Sequence, residues 1–179
     1  MSEKKEFLLK TEPADFAVLL SGIFTIAREM GVNMERTARA PIYYSAHDFT
    51  NAILDLNCEI VALAEYIPVL NGATPFATRA VRDYFKGDVN EGDVFLVNDP
   101  YTLDAGNQMA DWTIVYPVFV DGEHMFWVAN KAHQQDTGGG GFPEATTLLL
   151  SMCMPKVSGF PRSEFFPRGK KSKTYSVWL

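Results

Sequence analysis

Asp99, Asp104, Asp111, His133 and Asp136 are the side chains whose types and spacing could do chemistry. They fall in two blocks. One is Asn98-Asp99-Pro100-Tyr101 running on to Asp111; the other is Ala132-His133-Gln134-Gln135-Asp136, followed by four glycines at 138–141. Carboxylate and imidazole together suit a hard-to-borderline divalent metal such as Mn²⁺ or Fe²⁺. They equally suit a general acid–base pair in which Asp111 or Asp136 orients the ring of His133. A plainer reading competes: Asp99 caps a turn before Pro100, and His133 is a satisfied polar residue at a strand end. The glycine run could bring backbone N–H groups to an anion or simply form a loop, and no GxGxxG or Walker A pattern surrounds it. His47 beside Asp48 and His124 beside Glu123 read as surface or turn positions. Cys58 lies in an expected turn without a histidine nearby and is not read as a nucleophile.

These blocks must be positioned by regular elements. Thr113 to Val120 and His124 to Asn130 are β-branched and aromatic runs separated by Asp121-Gly122-Glu123, a strong hairpin signal. If the runs pair, Asp111 lies just before one strand and His133 just after its partner, at the same end of the hairpin. Trp112 and Trp127 alternate with polar neighbours, as sheet-packing residues do. Asp93 to Val97 reads as a buried strand delivering Asn98-Asp99-Pro100. Upstream, Phe16, Leu19, Leu20, Ile23, Phe24, Ala27 and Met30 recur at helical steps after Pro13, with Gly31 as a left-handed terminator. Residues 49–55 and 59–64 read as a second hairpin turning at Asn57, with a helix as the competitor. Pro68 and Gly72 are expected to end what precedes them, and Phe76 to Phe85 to form a short second helix. The order predicts an α+β fold: an N-terminal amphipathic helix, β-hairpins and a mainly antiparallel sheet with that second helix.

The totals set bounds. The 179 residues fit one domain, and 47% apolar residues allow a real core. The formal charge of −6 is uneven: Ser151 to Leu179 holds six Lys/Arg against one acid, leaving −11 on residues 1–150. An acidic body argues against nucleic-acid binding. Two cysteines without CxxC spacing exclude a disulfide framework or zinc knuckle. The apolar run Phe16 to Ala27 falls short of the roughly 20 residues a membrane span needs, and the charged opening residues lead us to expect no signal peptide. A cytoplasmic protein without membrane contact is expected.

Taken in order, several segments resemble the N-terminal part of the hydantoinase B/oxoprolinase family. They are Ala27-Arg28-Glu29-Met30-Gly31, Asp48 to Ile53, Ile60-Val61-Ala62 leading to Ile67-Pro68, Gly92 to Tyr101, Asp111 through Phe119, and Ala132-His133 through Gly139. The resemblance implies one subunit of an ATP-dependent complex that opens cyclic amides such as hydantoins or 5-oxoproline. It places ATP on a partner, the hydantoinase A-type subunit, and admits a ketone carboxylase of the acetone or acetophenone type as the alternative. A non-catalytic partner-docking fragment is the rival from another class. For site residues it implies Asp111 and His133; Asp99 and Asp136 stand as catalytic candidates on residue type and position alone. In the carboxylase branch a metal (Mn, Fe or Zn) is held by His-x-x-Asp and a later His. Here Gln108-Met109-Ala110-Asp111 and His133 stand there, so Gln108 replaces the first histidine with a poorer ligand.

The resemblance covers residues 12–146, between a tail at 1–11 and a basic tail at 147–179. Where the family continues with Tyr-Ala-Glu-Gly, this chain has Met154-Pro155-Lys156-Val157. ATG CCG AAG GTT read one base earlier gives TAT GCC GAA GGT, which encodes the family text. An out-of-frame tail is therefore expected, making the fold incomplete relative to the family and the 179-residue chain alone inactive.

Overall fold

The computed structural model describes residues 12–98, 101, 108 and 110–134, and the backbone of 174–176. Helix α1 (Pro13–Thr37) is followed by a single turn, α2 (Pro41–Tyr44), then strands β1 (Phe49–Leu54) and β2 (Ile60–Leu63). Helix α3 (Pro68–Tyr84), β3 (Val94–Val97), β4 (Asp111–Val120), β5 (Glu123–His133) and β6 (Thr174–Ser176) complete the order. One sheet runs β2-β1-β5-β4-β3-β6, antiparallel except where β6 lies parallel to β3. The protein is α+β, as its patterning predicts. No helix among the described residues is long and apolar enough to cross a membrane.

The two long helices cover opposite faces. Ala80, Val81 and Phe85 around the end of α3 pack on Leu54, Phe95, Val115 and Trp127, while Ala27 of α1 packs on Ile53 and Ala62. Strand β1 is consequently buried at all six positions, because residues of both phases meet a helix or a neighbouring strand. Trp127, 1% exposed, anchors the α3 side.

Three local expectations are corrected. Gly31 does not end α1, which runs on to Thr37; the glycine instead admits the ring of Tyr66, whose hydroxyl would lie 2.5 Å from an added Cβ. Pro68 does not stop an element but opens α3 at its first turn, where a missing N–H costs nothing. Helix α3 therefore extends through Gly72 and Pro75, well before Phe76. In the β1–β2 turn the left-handed residue is Cys58 (φ 64°), not Asn57; the Asp55 carboxylate accepts the N–H groups of Asn57 and Glu59 and fixes the loop. The competing helix over this stretch is excluded by the β1–β2 ladder.

Tyr66 has little freedom to yield, since it packs on Phe49 at 4.3 Å between ring centroids. Gly31→Ala is accordingly expected to destabilise the fold by about 1–3 kcal/mol, the usual cost of overpacking, read as a lowered urea midpoint with an unchanged slope.

Candidate functional site

The β4–β5 hairpin closes on Asp121-Gly122, both with positive φ (52° and 80°), a two-residue turn of the primed type. Pairing then runs Val120↔Glu123 and Phe119↔His124, skips Met125, and resumes at Val118↔Phe126. That bulge decides the site. Without it Asp111 would face Ala132; with it Asp111 pairs with His133, and cross-strand partners share one face of a sheet. Both strands are longer than their apolar runs suggest, so the pair sits inside the ladder as its last rung rather than beyond it.

The rung is pinned from three directions. His133 N–H donates to the Asp48 carbonyl (3.1 Å), Gln134 N–H to that of Ala110 (2.8 Å), and Asp111 N–H to that of Gln108 (3.1 Å). Among the side chains, His133 Nδ1 lies 2.9 Å from Asp111 Oδ1. Gln108 Nε2 lies 3.0 Å from each of those two atoms. The Asp111 side chain is fully buried and His133 retains 15% exposure. Burial opposes ionisation of Asp111, but hydrogen bonds from His133 and Gln108, with the Lys131 charge, overcome it and hold the carboxyl below the usual carboxylate range. Among the described residues, Asp111 Oδ2 has no hydrogen-bond partner.

Thus Asp111, His133 and Gln108 are brought together. Asp99, Asp104, Asp136 and the glycines at 138–141 lie outside the described residues. His47 lies between α2 and β1 at φ 54° and meets Glu35 at 3.0 Å. His124 is stacked on Phe119 and edge-on to Trp127. Cys58 is buried, and burial pushes its thiol up to about 11, which makes it a poor nucleophile.

Lys131 escaped the sequence reading. Its side chain is on the same face as Trp127 and Ala129 and only 1% exposed. Nζ donates to Thr113 Oγ1 (3.0 Å) and to the Asp111 carbonyl (3.4 Å). Burial brings its ammonium down to about 8, against the raising effect of Asp111. The signal was available: a lysine in the inward phase of a strand, two residues before His133.

Spacings near 3 Å suit neighbouring ligands on one cation, but the donor set is poor for a metal. It holds one carboxylate and one imidazole; the third corner, Gln108 Nε2, is a donor that cannot ligate. No group of three or more His, Cys, Asp or Glu able to hold a metal gathers among the described residues. With a lysine cation in the same layer, these residues do not fit a transition metal. They do fit a hydrogen-bonded acid–base pair.

The sequence and fold have known counterparts. The hydantoinase B/oxoprolinase family model matches residues 12–149. The caprolactamase β subunit of Pseudomonas jessenii is 34% identical over 128 residues, covering 72% of this chain and 22% of that protein. The 5-oxoprolinase PfmaA of Pestalotiopsis fici is 34% identical over 140 residues, 76% of this chain and 11% of that one. The crystal structure of the ATP-dependent caprolactamase superposes with a TM-score of 0.65 over 74% of this chain and 22% of that one, at 33% identity. A nucleotide-free acetone carboxylase gives 0.66 over 75% and 18% at 21% identity, a likeness of fold alone. The chain therefore spans about a fifth or less of the proteins it matches. Within that span the β4–β5 rung, the strands flanking it and α1 all lie inside the matched segment, and the chain belongs to the hydantoinase B/oxoprolinase family.

Proposed function

We propose that this chain is the N-terminal part of a B-type subunit in a cytoplasmic, ATP-dependent complex that hydrolyses cyclic amides, with ATP handled by an A-type partner. The observation that carries it is the buried Asp111 carboxylate 2.9 Å from His133 Nδ1. Opening a cyclic amide needs a proton taken from attacking water and a proton given to the departing nitrogen. An ionised Asp111 accepts from Nδ1–H, which leaves the lone pair of His133 on Nε2. That atom takes the water proton, the imidazolium gains from Asp111, and the same atom returns the proton to the ring nitrogen. Gln108 donates to Asp111 Oδ1 and steadies the carboxylate. Substrates of the hydantoin, 5-oxoproline or lactam type are supported by two relatives at 34% identity, a caprolactamase subunit and a 5-oxoprolinase, both named for cyclic-amide substrates. Ketone carboxylation rests only on a likeness of fold.

The test is a hybrid in which residues 12–149 replace the matching segment of the caprolactamase β subunit, assembled with its partner. ATP-dependent lactam opening that disappears with His133→Gln is the expected result. Full turnover by the His133→Gln hybrid would refute the assignment.

A second reading, a docking module, draws on helix α1, which leaves Phe16, Val18, Leu19 and Ile26 more than half exposed. Co-purification of the 179-residue chain with an A-type subunit, without turnover, would favour it.

A further inference from the structure

The bond from His133 N–H to the Asp48 carbonyl lies one step beyond the last β1–β5 pair, Phe49↔Ala132. Something other than that ladder has to aim the carbonyl. Two backbone bonds do part of it: Asp48 N–H donates to the Ile42 carbonyl (3.0 Å) and Phe49 N–H to that of His47 (2.9 Å). The chain bends sharply here, and His47 takes up a left-handed φ of 54°. Glycine would meet that demand without strain, and asparagine nearly so. Neither carries a ring, and the ring of His47 is held. Its Nδ1 lies 3.0 Å from Oε1 of Glu35, near the end of α1. The ring also lies along that of Tyr66, with centroids 6.0 Å and planes 15° apart. The His47 and Glu35 side chains are 45% and 28% exposed, and a pair so exposed adds little to global stability. What it can do is fix a place. We infer that His47 is a positioning residue, tethered to α1 by Glu35, that sets the Asp48 carbonyl and through it the backbone of His133 at the end of β5.

The effect on turnover rests on the acid–base reading above; the effect on position does not, and the two are measured separately. In the ¹⁵N-labelled 179-residue chain, amide hydrogen exchange is followed by NMR at His133, with the buried pair Val115 and Ala129 as reference. His133 N–H is expected to be protected in the wild type. His47→Gly keeps the bend and removes the tether, so exchange at His133 should rise by about tenfold or more while Val115 and Ala129 stay within about threefold. Glu35→Ala, on the helix side of the tether, should do the same. Glu35→Gln keeps an oxygen for the ring and should hold His133 within about threefold of wild type. In the caprolactamase hybrid, His47→Gly should lower kcat by about tenfold and leave KM within about twofold, as a shifted catalytic group does. A His133 N–H that is unprotected in the wild type, or unchanged in both His47→Gly and Glu35→Ala, overturns the inference and leaves the acid–base reading standing. So does an unchanged hybrid kcat. Exchange that rises equally at Val115 and Ala129 marks general loosening and overturns it too. Protection lost as expected, in a chain whose hybrid keeps full turnover with His133→Gln, upholds the tether and removes the acid–base reading.

Discussion

Asp111→Asn is expected to cut turnover of the hybrid enzyme by about 10²- to 10⁴-fold, the span general acid–base catalysis usually supplies, with little change in KM. The amide is nearly the same size as the carboxylate, so the rung should still form. What changes is the proton. An asparagine Nδ2 turned toward His133 Nδ1 donates to it, which moves the ring proton to Nε2, the atom that must accept one. Its oxygen, turned inward instead, offers no charge to an imidazolium. The same substitution leaves the buried Lys131 without the nearby negative charge that favours its ammonium, which lowers the stability of the fold. Assays therefore need to be run well below the variant's melting temperature. The acid side of the stability profile gives a separate readout. Asp111 is held below its unfolded value of about 3.9, so its contribution is whole above that pH and drains away as pH falls through the folded value. The variant should lack that part of the acid decline. Turnover within threefold of wild type would remove Asp111 from the mechanism.

The site was legible in the sequence only as far as its strands were. Asp121-Gly122 requires two positive φ angles, which announces a tight hairpin, and counting outward brings Asp111 and His133 to the same end. It does not bring them to the same face. That depends on Met125 being extra in the ladder, and nothing in the apolar alternation around Met125 marks it, because a bulge is set by twist and packing rather than by residue type. Pro68 misled for a related reason: proline forbids the middle of a helix and favours its first turn, and only the contacts of α3 decide which applies. Gly31 likewise serves either as a terminator or as room for a neighbour, and Tyr66 settles it. Lys131 was readable from strand phase, yet a charged residue in an apolar run is easily assigned to the outward face. The family resemblance supplied Asp111 and His133 without this geometry. The ladder explains why those two positions, 22 residues apart, meet at 2.9 Å.

Gln108→His should turn the same rung into a metal site, tightening Zn²⁺ or Mn²⁺ by about 10²- to 10³-fold over the wild-type chain, the order expected when an amide gives way to imidazole as a ligand. The geometry is already close. Gln108 reaches to 3.0 Å from both Asp111 Oδ1 and His133 Nδ1, and the spacing 108–111–133 is set by the backbone bond from Asp111 N–H to the Gln108 carbonyl and by the last rung of the ladder. A histidine at 108 would add a third strong donor, while Asp111 Oδ2, without a hydrogen-bond partner among the described residues, gives the carboxylate a second oxygen to offer. Lys131 works against this gain, since a cation in the same layer repels another, so Gln108→His with Lys131→Met should bind more tightly than Gln108→His alone. Calorimetric titration of each chain with the metal, at fixed pH because ligation competes with protons, reads the series directly. If the wild-type chain already binds as tightly as Gln108→His, the amide must be presenting its oxygen to the metal, and the reading of a hydrogen-bonded acid–base pair gives way to one of ligation.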